Sequence, residues 1–337
     1  MGRLVLFVPG FPAWLFEESG GQLDAARWPA LSLILARATG HPIEGVSIEQ
    51  NLITLCGAPS DRAVSFPIAA LTALIDNDTH AVEGIMRADP VHLRADPAKI
   101  LLFNSPDILP SAAEADSLLE EINTGVPGLG ISRGTYPGRW YFRSEHAATV
   151  VTSSPNAANG RSISDHLPRG EGAAALMRLT NDAQMLLHGA AVNAEREARG
   201  IPPINSIWPW GNGSVEDVQI APPDIVVGDD VLAAGFARRF GLRWCAELEP
   251  RDVIEKVSGG RNALVVAGSP TGTVGIKGPL GSVGELEQLW CPVLLRALRR
   301  FRVKEVQLIT DKNRYSLTPW NLLKIWRGAR PRTGGGI

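Results

Sequence analysis

RSISDHLPRGEGAAALMRLTNDAQMLLHGAAVNAEREARGIPPINSIWPWGNG, residues 161–213, gathers most of the chain's uncommon polar and aromatic side chains into one block. It divides into a polar loop, a helix and a second loop. Residues 173–188 contain neither Gly nor Pro beyond the loop, and Leu176, Leu179, Ala183 and Leu187 recur at steps of three and four, which predicts a helix with an apolar stripe. Asn181, Gln184 and His188 fall on a neighbouring face that could line a pocket. Gly200, Pro202 and Pro203 end helical structure and lead into NSIWPWGNG, residues 205–213, read as a loop. Two readings are open for Trp208 and Trp210. Either they bury ring area while Gly211 and Gly213 turn the chain, or they wall a ligand.

Outward from this block, strand and helix signals alternate. Residues 3–8 read as a buried central strand ended by Pro9-Gly10, and residues 99–103, 224–227, 265–267 and 303–309 read as further strands. Residues 27–38, 111–123, 230–240 and 285–301 carry helical spacing. The alternation predicts an α/β fold. A chain of 337 residues, 45% hydrophobic, is long and apolar enough for two domains or for one with a large insertion. In DPVHLRAD, residues 89–96, strand alternation puts His92, Arg94 and Asp96 on one side and Leu93 and Ala95 on the other. Arginine could make paired hydrogen bonds to a phosphate or carboxylate and histidine could donate a proton to it. A strand salt bridge from Arg94 to Asp96 is the alternative.

A net charge of −2 gives no general reason to bind nucleic acid or an anionic membrane. The basic run Arg296, Arg299, Arg300, Arg302 and Lys304 reads as a solvated helix face dispersed around its axis, with a local patch as the alternative. Cys56, Cys245 and Cys291 match no zinc spacing or disulfide framework, which suits a reducing cytoplasm. The apolar run 4–8 is broken by Pro9, Gly10 and Pro12 before reaching the length of a signal core or a span. Asp76, Asp78 and His80 are of metal-ligating type, but nothing nearby completes a coordination sphere, and acids so placed also cap helices. Gly-rich residues 268–275 and 277–281 lack the Gly-Lys-Ser/Thr of a phosphate loop, and no Gly-x-Ser-x-Gly elbow occurs. His41 and His146 read as structural or exposed; His166, in a loop, reads as functional.

The order Ser164-Asp165-His166, a helix containing Asn181, then Val192-Asn193, Arg196, Gly200, Pro203-Ile204-Asn205 and the tryptophan run resembles the later part of archaeal-type cofactor-independent phosphoglycerate mutases. With residues 89–96 and Gln184 to His188 added, most of the chain resembles bacterial RpfE-type regulatory proteins, which are phosphoglycerate-mutase-like. The resemblance implies an alkaline-phosphatase-like central sheet with helices on both faces and a smaller inserted α+β domain. It places the core at 1–82 and 200–330, the insertion with its pocket-lining helix at 83–199, and a flexible tail at 331–337.

In the resembling enzymes phosphoryl transfer uses two divalent metals held by Asp and His, with a Ser or Thr nucleophile. Their first strand ends in Asp-Gly, whereas this one ends in Pro9-Gly10; their last core strand ends in Asp-His, whereas this one has Asp311-Lys312. No histidine follows His188. Proline offers no side-chain ligand, and an ammonium repels a cation. The expectation is therefore a cytoplasmic regulatory pseudoenzyme without metal or other cofactor, and no catalytic residue is assigned. It would bind a small anionic metabolite, phosphorylated ones included, through His92, Arg94, Asp165, His166, Asn181, His188, Arg196, Asn205, Trp208 and Trp210, with no nucleic acid or membrane as partner. One alternative is an active mutase or phosphatase with an unrecognised site for a divalent metal such as manganese or magnesium. Another is a protein-interaction scaffold whose tryptophan loop is the contact patch.

Overall fold

The computed structural model describes residues 1–43, 47–58, 66–77, 84–213, 220–268 and 282–323. It divides into two compact units, one of residues 1–60 and 219–337, the other of residues 61–218.

The first unit is built on a seven-stranded sheet in the order Trp244–Cys245, Ile225–Val227, Ala263–Val266, Arg3–Phe7, Glu305–Ile309, Asn313–Leu317, Thr39–Pro42. The first five strands are parallel; Asn313–Leu317 runs against them, and Thr39–Pro42, antiparallel to it, runs with them again. Parallel neighbours need crossovers, and the helices between the strands supply them. Arg3–Phe7 has a parallel partner on each side, which is why its run is apolar on both faces: Leu4 and Leu6 lie in one core cluster, and Phe7 is also fully buried. The cluster includes side chains from helices Pro29–Arg37, Pro250–Ser258 and Cys291–Arg299. Helices Ile48–Leu55 and Val231–Phe240 pack on one another outside it. Each is capped by the residue before it, Ser47 with Gln50 in a reciprocal box and Asp230 accepting from Leu232 and Ala233. Before Cys291–Arg299 the chain makes a π-helical stretch, Leu286–Trp290, that accommodates the N–H missing at Pro292. His41 lies in the edge strand Thr39–Pro42 opposite Arg314, not in a loop.

The second unit holds a five-stranded sheet threaded by Ile85–Asp96. One edge of this long strand pairs with Ser206–Trp210; the other pairs with Trp140–Arg143 near its start and with Lys99–Phe103 near its end. The segment expected as a loop at 205–213 is thus mostly a strand. The two strands tolerate their prolines because Pro90 and Pro209 stand opposite Ile207 and Ala88, at positions alternate to that of Leu93, whose backbone groups extend toward Asn205, so neither missing N–H costs a ladder bond. Helix Ala112–Gly125 starts at a capping box of Ser111 and Glu114 and packs Leu118 and Ile122 into a core shared with Leu176, Ala183 and Leu187 of helix Ala173–His188. Residues 193–198 lie in helix Ala191–Ala198.

Because Ser206–Trp210 is bonded along Ile85–Asp96, it belongs to this unit, as does helix Ile68–Asp76; the unit is therefore wider than residues 83–199. Asp78, His80, residues 269–281 and the tail 331–337 lie outside the described residues. Cys56, Cys245 and Cys291 are free thiols. Among the described residues no helix is long and apolar enough to cross a membrane.

Candidate functional site

Within the second unit, Ser206–Trp210 stops where Ile85–Asp96 runs on, and helix Ala173–His188 packs over the shorter strand. The difference in length leaves a groove of about 570 Å³. Leu93, Ala95 and Ile100 form its apolar floor, Asn181, Gln184, Met185 and His188 of the helix form a wall, and Asn205 closes one end. Asn205 acts as a false strand residue: its Oδ1 accepts from the Leu93 N–H at 2.7 Å and its Nδ2 donates to the Leu93 carbonyl at 2.8 Å. Gln184 Nε2 donates to Ser206 Oγ at 3.1 Å. Among the described residues the Asn181 and His188 side chains make no hydrogen bond, so their polar groups are available to a ligand.

Asn181, His188 and Asn205 are therefore brought together, and the other seven expected residues are not. His92 and Arg94 lie on the opposite face of the strand from the groove floor. The His92 Nδ1 is 2.9 Å from the Pro203 carbonyl oxygen, and the Arg94 guanidinium sits 4.6 Å over the Phe103 ring rather than on Asp96. Arg196 is buried as a clamp, donating to the carbonyls of Pro202 and Ile108 and to Glu114 at 3.1, 2.8 and 3.1 Å. Burial pulls its guanidinium below the ordinary value, against the opposing pull of Glu114. Trp208 donates to the Ser153 carbonyl and Trp210 to Asp89, each at 2.8 Å, and both indoles are buried. Asp165 ends a 3₁₀ turn and its carbonyl accepts from Arg169, while His166 is half-buried just beyond it.

Two features had no local signal in the sequence. The floor comes from a difference in strand length that only pairing defines. Asp76 finds its partner 63 residues away: Arg139 donates to it through Nε and Nη2, both at 2.6 Å, and the Tyr141 hydroxyl donates at 2.6 Å. Its carboxylate is committed to this ion pair, not poised as a metal ligand.

In the first unit, the ends of Arg3–Phe7 and Glu305–Ile309 meet. The Gly10 N–H lies 3.0 Å from each Asp311 carboxylate oxygen, and Gly10 holds a φ of 79° that glycine adopts without strain. Burial pushes the Asp311 carboxyl above its usual range, with Gly10 and Lys312 acting in the opposite sense. Asp230, at the end of Ile225–Val227, is occupied as a helix cap.

The chain resembles bisphosphoglycerate-independent phosphoglycerate mutases over part of its length. It is 38% identical over 108 residues to a probable enzyme of this kind from Geobacter sulfurreducens, a match covering 31% of this chain and 26% of the relative. The mutase of Methanothrix thermoacetophila is 34% identical over 106 residues, again 31% of this chain and 26% of the relative. The Methanosarcina acetivorans mutase is 26% identical over 233 residues, 63% of this chain and 55% of the relative. The chain thus spans about a quarter of the length of the first two mutases. No family model matches. Among solved structures, the cofactor-independent phosphoglycerate mutase of Thermoplasma acidophilum aligns with 94% of this chain and 89% of its own at 15% identity and a TM-score of 0.40; a Pyrococcus horikoshii protein aligns with 94% and 87% at 12% identity and 0.47.

A mutase-type metal pair needs carboxylates and imidazoles converging at the strand ends. Here Pro9 and Gly10 supply no side-chain donor, Asp311 accepts from Gly10, and Lys312 follows directly. Of six histidines in the sequence only His41 falls in the first unit, and it sits in the edge strand. Among the described residues no group of three or more His, Cys, Asp or Glu is placed to hold a metal ion.

Proposed function

We propose that the chain is a phosphoglycerate-mutase-like binding protein with a regulatory role, lacking two-metal phosphoryl transfer, and that a small anionic metabolite occupies the groove beside helix Ala173–His188. The observation that carries the first part is the commitment of Asp311 to Gly10 next to Lys312, at the strand ends where the mutase relatives would require ligands. The groove supports the second part. Asn181 and His188, whose side chains make no hydrogen bond among the described residues, line a hollow with an apolar floor, an arrangement suited to an anionic head on a short carbon skeleton.

The test pairs metal analysis of protein purified without chelator with thermal shifts against manganese, magnesium and 3-phosphoglycerate. The expected result is well under one metal per chain, with stabilisation by the phosphoglycerate that Asn181→Ala and His188→Ala each weaken about tenfold in apparent affinity. Near-stoichiometric metal with turnover of the phosphoglycerate would identify an active mutase or phosphatase instead.

A further inference from the structure

The first unit carries a surface that the groove does not explain. Arg296, Arg299 and Arg300, three and four residues apart at the end of helix Cys291–Arg299, line one hollow of about 340 Å³ with Ala30, Pro292 and Leu295. Helical spacing thus gathers these charges onto one face rather than dispersing them. Arg302 and Lys304 follow. Among the described residues none of these five cations forms an ion pair or a side-chain hydrogen bond.

Apolar side chains stand exposed beside them. Phe301 is 46% exposed, Trp320 68% and Leu323 60%, and the two rings meet edge to face with centroids 5.6 Å apart. Phe301 also occupies a position that glycine usually fills. The N–H groups of Phe301 and Arg302 bond back to Leu298 and Ala297 in a Schellman cap, and Phe301 is held at φ 52°, the one positive φ outside glycine among the described residues. An aromatic ring is thus kept in the open at a strained backbone position, beside unpaired arginines.

We propose that this surface docks on an anionic phospholipid bilayer, with Arg296, Arg299 and Arg300 holding lipid phosphates and Phe301, Trp320 and Leu323 entering the interfacial layer. Charge complementarity selects an anionic partner. The exposed apolar side chains suit the interfacial layer of a bilayer, and the edge-to-face pair is not the open stacking platform that single-stranded nucleic acids use. The net charge of −2 averages this surface away.

Co-sedimentation of the full chain with phosphatidylcholine vesicles, with and without phosphatidylserine, tests the proposal. Binding is expected only with phosphatidylserine and should weaken with salt. Replacing Arg296, Arg299 and Arg300 together by Ala should cut affinity about a hundredfold, roughly fivefold for each charge, whereas replacing them by Lys should retain most of it. Phe301→Gly should raise the melting temperature by relieving the cap and yet weaken vesicle binding, a combination that a purely structural role would not produce. Equal sedimentation with both lipids, binding indifferent to these substitutions, or no binding would overturn the proposal. So would tighter binding to a single-stranded oligonucleotide than to the vesicles.

Discussion

At Asp76 a carboxylate takes hydrogen bonds from Arg139 and Tyr141 with the Asp76 and Arg139 side chains 1% and 2% exposed, so the ion pair is desolvated and each partner needs the other. Burial pushes the Tyr141 hydroxyl far above its usual range and keeps it a donor. Removing the carboxylate takes from a buried guanidinium the partner of two of its hydrogen bonds. Asp76→Ala should cost about 3–5 kcal/mol, read as a fall in the urea midpoint at an unchanged slope. If Asp76 were instead a metal ligand, the loss would appear only in metal-loaded protein. Nearby, Arg87 and Asp89 form a second buried pair at 2.7 Å, and Arg87 Nη1 has no hydrogen-bond partner among the described residues. Residue types announced charge here; they did not announce which charge met which.

At the scale of elements, the groove exists because one strand is shorter than its neighbour. Asn205 carries the consequence, since its amide serves both backbone groups of Leu93 that a longer strand would have bonded. Asn205→Ala should therefore speed amide exchange at Leu93 and destabilise the protein by about 1–3 kcal/mol. A change in ligand affinity without faster exchange would show that Asn205 acts on the ligand directly. Helix Ala173–His188 was legible residue for residue, because absent breakers and a three-to-four spacing are local signals. Strand Ser206–Trp210 was not, because its prolines and flanking glycines read as loop chemistry until the alternation of the ladder showed where an N–H is unnecessary.

Across the whole molecule, the groove lies in one unit and the basic, aromatic surface in the other, each over its own hydrophobic cluster. Trp320→Ala should leave the thermal shift with 3-phosphoglycerate unaltered, and His188→Ala should leave vesicle sedimentation unaltered. A cross effect in either assay would mean that the two surfaces serve one ligand. The matches to the mutases cover only part of each, so the similarity does not assign their activity to this chain.

The sequence by itself determined the α/β alternation, the buried strand at Arg3–Phe7, the helix Ala173–His188, and the residue types Pro9-Gly10 and Asp311-Lys312 that follow two strands. These follow from periodicity, capping and side-chain chemistry, which act over a few residues. Only the tertiary structure decided that Asn181, His188 and Asn205 share a groove, that His92 and Arg94 face away from it, that both tryptophans are buried, and that three arginines line one hollow. Those outcomes depend on strand register and on partners tens of residues distant, and local preference carries no information about either.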